Sequence, residues 1–111
     1  YLLVDLASIN AHNCETEQDL WQKLLNTIED DLEEAKDDLE EAQDRLQASE
    51  NSYNSIKDSG QKDAAQQRID NDKEELVDQQ EKVDDLEEKK FRIEYTYKEV
   101  KKKCKQLAVS S

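Results

Sequence analysis

Proline is absent from these 111 residues and glycine occurs once, at Gly60. A sheet protein of this size needs a turn every few residues, and those are the residues that make turns, so long helices are the expected content. Aromatic residues make up 5% and apolar residues 34% of the chain, too few for a large globular core. There is one histidine, His12, and two cysteines. With no glycine-rich phosphate loop either, nucleophilic catalysis, zinc binding and nucleotide binding lack their parts, so no enzyme and no cofactor is expected. No run of 18 or more apolar residues exists to span a membrane. Positive charge is scarce: 16 Lys and Arg stand against 29 Asp and Glu, a net charge of −13 with a pI near 4.4. An anionic partner is repelled, which argues against nucleic acid or an anionic membrane and for a basic protein surface.

What is present is periodicity. Leu25, Ile28, Leu32, Ala35, Leu39, Ala42, Leu46, Ser49, Tyr53 and Ile56 step by three and four, the spacing of the a and d positions of a heptad. Backwards, the same seam reaches Trp21, Gln18 and Cys14. The middle is nearly a literal repeat, with ten acids and one base between residues 29 and 44. A second seam runs through Ala65, Ile69, Asp72, Leu76, Gln79, Val83, Leu86, Lys90, Ile93, Tyr97, Val100, Cys104 and Leu107. Two narrow apolar stripes of similar length are expected to cover one another.

The spacing predicts a long helix over 14–57, a turn at 58–61 marked by Asp58, Ser59 and Gly60, and a second long helix over 62–108. Asn13 or Thr16 is expected to cap the first helix and Asp63 to help begin the second. Residues 1–12 are apolar and read as a short helix with Leu2, Leu6 and Ile9 on one face. The whole is expected to be a single all-α domain over 1–111. It begins at Tyr1 and has no methionine, which fits a mature chain left after removal of a signal peptide.

In an antiparallel hairpin, residues at one height have numbers with a constant sum. If Cys14 faces Cys104 the sum is 118 and the reversal falls at 59, beside Ser59 and Gly60. The two cysteines are therefore expected to form a disulfide at the base of a coiled-coil-like hairpin, with the short N-terminal helix packed there. A matched pair in a core-poor chain points to an oxidising compartment and secretion; the competing reading is two buried thiols. Leu20, Leu24, Phe91 and Tyr95 lie off the seams near this end, and the N-terminal segment with residues 107–109 is expected to cover them in a small helical knot.

Three surfaces are candidates for contact. Tyr53, Asn51 and Asn54 resemble an interaction surface at the reversal, although Tyr53 equally suits a seam role over Ala65. Glu33, Asp37 and Glu40 represent an acidic face able to dock on basic protein, or simply to be solvated. Acids on a rigid helix point radially and cannot wrap calcium, so no metal is expected. Lys98, Lys101, Lys102, Lys103 and Lys105 form a basic patch, read first as complementing the dipole at a helix C-terminus.

The combination of size, acidity, helical character and paired cysteines, with Asn13-Cys14-Glu15, Asp19-Leu20-Trp21 and Lys101-Lys102-Lys103-Cys104, resembles the albicin-like salivary proteins of anopheline mosquitoes. That resemblance implies a secreted, non-enzymatic inhibitor of the alternative pathway of complement that binds the assembled convertase. It rests on overall character and carries across no functional residue. A monomer is expected. The alternatives are a structural coiled-coil segment of a larger surface or filament protein, and a salivary collagen-binding platelet inhibitor, whose acidic glycine-rich repeat this chain lacks.

Overall fold

Two segments with matched apolar stripes, high charge and no internal proline are best satisfied when each forms one uninterrupted helix and each covers the other's stripe. The computed structural model describes residues 2–110 and has that form. Helix α1 is Cys14–Ser55, helix α2 is Ser59–Ser110, and a single 3-10 turn, Leu6–Ser8, precedes them. The described residues contain no strand. The fold is an antiparallel helical hairpin closed by a disulfide between Cys14 and Cys104, whose Cα atoms lie 5.7 Å apart. Tyr1 and Ser111, the outer limits of the expected domain, lie outside the described residues.

Every seam position on both helices is buried or half-buried, including the polar ones at Gln18, Asp72, Gln79 and Lys90. The reversal itself is shifted: it occupies residues 56–58 rather than 58–61. Asp58 explains the shift. Its Oδ1 accepts the N–H groups of Gly60 at 2.8 Å and Gln61 at 3.4 Å, while its carbonyl accepts Lys62 N–H at 2.9 Å. Asp58 is thus the N-cap of α2, and Gly60 lies within the first helical turn with no positive φ. Asp58→Ala is expected to cost about 1 kcal/mol, seen as a lower urea midpoint at unchanged slope.

The start of α1 is set by two asparagines. Asn10 Oδ1 accepts His12 N–H at 2.8 Å and Asn13 N–H at 3.2 Å, Asn13 Oδ1 accepts Asn10 N–H at 2.8 Å, and Asn13 carbonyl accepts Glu17 N–H at 2.8 Å. Ahead of them, the expected helix over 1–12 is only the one 3-10 turn. Asp5 caps it, with Oδ1 accepting Ala7 N–H at 3.0 Å, and the chain is extended again at Ile9. Side chains that bind nearby backbone N–H groups compete with helix propagation, and a segment this short cannot repay nucleation.

The chain divides into two compact units, one comprising the residues up to Asp31 together with those from Leu86 onward, the other Leu32–Asp85. In the first, Ile9, Trp21, Val100 and Cys104 form a buried cluster, with Val4, Leu6, Cys14, Ile93, Tyr97 and Leu107 packed against it. In the second, Leu32, Ala35, Ala42, Ala65, Ile69 and Val83 are buried, and Ala35 and Ala42 are each 1% exposed, so small side chains fill the seam there. Ser49 Oγ donates to Asp72 Oδ2 at 2.5 Å, and Arg45 meets Glu75 at 2.6 Å. The Ser49 hydroxyl supplies the donor that a carboxylate on a seam needs.

Candidate partner-binding surfaces

Five of the six sequence-predicted contact residues share one face of α1. Glu33, Glu40 and Asn54 occupy one heptad position and Asp37 and Asn51 the adjacent one, and all five are exposed. Helical rise spreads this face over roughly 30 Å from Glu33 to Asn54. Gln47 Nε2 donates to Asn51 Oδ1 at 3.1 Å along it. The face is acidic toward its N-terminal end and carries neutral amides toward the reversal, so it offers charge to a basic surface at one end and uncharged donors and acceptors at the other.

Tyr53 stands apart from the five. It is half-buried on the seam side, and Lys62 Nζ lies over its ring, 5.3 Å from the centroid. An ammonium over an aromatic face is favourable by about 0.5–1 kcal/mol at exposed sites. The ring contributes to the packing while part of it stays accessible.

The cysteine end differs from expectation in one respect. Leu20 and Leu24 remain 49% and 38% exposed, Phe91 70%, Tyr95 41% and Val109 82%. The N-terminal segment covers the Trp21, Val100 and Cys104 cluster instead, with Ile9 buried and Val4 and Leu6 half-buried, while Leu2 and Leu3 face outward. Its path is fixed by Leu3 N–H, which donates to Thr96 Oγ1 at 3.1 Å. Thr96 is fully buried and lies off the heptad seam. No periodicity signals it, and its neighbours Tyr95 and Tyr97 give no hint that a backbone donor arrives there. Inside the cluster Trp21 Nε1 has no acceptor among the described residues.

The lysines upstream of the C-terminus require a second correction. Helix α2 continues to Ser110, and its last turn carries no basic residue. Dipole stabilisation falls off within the final turn, so Lys98, Lys101, Lys102, Lys103 and Lys105 lie too far upstream to be explained by it. Lys101 Nζ instead lies 4.5 Å from the Tyr97 ring centroid.

Among the described residues no group of three or more His, Cys, Asp or Glu side chains converges as metal ligands, and no helix is long and apolar enough to cross a membrane. The arrangement defines a class: a disulfide-closed, all-α helical hairpin presenting extended charged faces. No family model, no curated protein and no solved structure matches the chain.

Proposed function

We propose that this chain is a secreted, non-enzymatic binding protein that inhibits a host defence cascade by occupying a protein surface. The target is the convertase of the alternative complement pathway, named by the likeness to albicin-like salivary proteins. The observation that carries the reading is the Cys14–Cys104 bond across the base of a core-poor hairpin, which suits an oxidising, extracellular setting. The face formed by Glu33, Asp37, Glu40, Asn51 and Asn54, with Tyr53 beside it, is the contact element. Its residues are held on one continuous helix, so little conformational freedom is lost on docking, and inhibition is steric.

A structural coiled-coil segment is the less favoured reading. Such a segment needs Leu32, Leu39 and Leu46 for a second chain, and here all three are buried or half-buried in the chain's own hairpin. Purified protein added to serum is expected to reduce alternative-pathway haemolysis of rabbit erythrocytes in a dose-dependent manner and to leave the classical pathway unaffected. Unchanged haemolysis at saturating protein refutes the complement target.

A further inference from the structure

Helix α2 carries a second stripe on the side away from its seam. Phe91, Tyr95, Lys98, Lys102, Lys105 and Val109 step by four and three, and all six are exposed. The stripe contains no acid, and residues 91–109 as a whole hold six cations and two acids in a chain of net charge −13. Helix α1 has a shorter stripe of the same spacing at Leu20, Leu24, Thr27 and Asp31, also exposed throughout. Heptad spacing on a solvated face is what another helix recognises.

The two stripes fit one another in one alignment. Laid parallel with a constant offset of 71, Leu20 meets Phe91, Leu24 meets Tyr95, Thr27 meets Lys98 and Asp31 meets Lys102. The flanking pairs in that register are Lys23 with Glu94 and Asp30 with Lys101, again of opposite sign. One heptad either way destroys the match: an offset of 78 sets both leucines against lysines, and an offset of 64 sets them against Asp84 and Glu88. An antiparallel lay that keeps the apolar pairs, Leu24 on Phe91 and Leu20 on Tyr95, sets Asp31 against Asp84.

Within one chain α1 and α2 run antiparallel, so the parallel fit needs two molecules. We infer that the α2 stripe of one copy docks on the α1 stripe of a second copy, through Phe91 and Tyr95 against Leu20 and Leu24 and through Lys102 against Asp31. Two copies related by a two-fold axis make this contact twice, α1 on α2 and α2 on α1, and close as a dimer, whereas any other rotation makes it once and leaves one stripe of either kind unfilled. It spans only about three helical turns, below what a permanent dimer buries, so assembly is weak and concentration-dependent. The inference stands independently of the complement reading.

The test is sedimentation velocity over a concentration series on the oxidised protein. The wild type is expected to show a weight-average mass that rises from 13.0 kDa with concentration. Asp31→Lys and Lys102→Asp each place like charges in the contact, and each alone is expected to associate at least about tenfold more weakly. An equimolar mixture restores opposite charges at every junction and is expected to recover wild-type association, which also shows that both variants are folded. The inference is overturned by a wild type that stays monomeric to about millimolar concentration, by single variants that associate like the wild type, or by a mixture no better than its components.

Discussion

Removing the Cys14–Cys104 bond, by reduction or by replacing both cysteines with serine, is expected to lower unfolding free energy by roughly 4 to 5 kcal/mol. The loop it closes spans 90 residues of sequence separation, which places the loss of unfolded-chain entropy near the upper end for disulfides. Domains of this size typically hold only about 5–15 kcal/mol in all. The buried apolar set here is one shared seam plus a small cluster, so the fractional loss is large. By the usual scaling the melting temperature falls on the order of 20 °C, read as the loss of helical circular dichroism. A drop of less than about 5 °C refutes the chain-entropy account and implies that the unfolded chain already holds its ends together.

The second large effect is at Trp21. It is 6% exposed at the centre of the cluster formed with Ile9, Val100 and Cys104. Trp21→Ala removes the largest side chain there and is expected to cost about 3–5 kcal/mol. Trp21→Phe is expected to cost far less, within about 1.5 kcal/mol. The phenyl ring keeps much of the apolar contact and eliminates Nε1–H, which has no acceptor among the described residues. An unpaired buried donor costs about 1–3 kcal/mol, so losing it offsets much of the lost volume. Urea denaturation of both variants checks the contrast; equal costs for Ala and Phe refute it.

Those two sites differ in how visible they were. The cysteine pair was legible because two heptads of similar length, a single turn signal and a constant sum of positions agreed, and none depends on tertiary detail. The seam followed for the same reason, down to polar members such as Asp72 and Gln79. Side-chain chemistry within the hairpin was less legible. Asp58 is expected within the turn from sequence, whereas its capping of the Gly60 and Gln61 N–H groups makes it the residue that begins α2. Leu20, Leu24, Phe91 and Tyr95 were expected to be covered, because apolar residues near a short apolar segment invite that pairing. The segment is committed elsewhere by Leu3 on Thr96 and by Ile9 in the Trp21 cluster, contacts that link distant parts of the sequence and leave no periodic trace. The contact candidates were half legible: heptad position places five of them on one exposed face, but the packing of Tyr53 depends on Lys62 across the reversal.

The reversal at residues 56–58 carries one further consequence. Lys57 is the only Lys or Arg among the described residues that lies outside a helix. A protease selective for cations therefore finds one non-helical peptide bond to cut first. The two fragments, each essentially a single long helix, remain joined through Cys14 and Cys104, and every heptad contact between them is already in place. Nicked at Lys57, the protein becomes a covalent two-chain heterodimer with its core and its charged faces unchanged, so a cleaved molecule in a protease-rich fluid keeps the surfaces of the intact one.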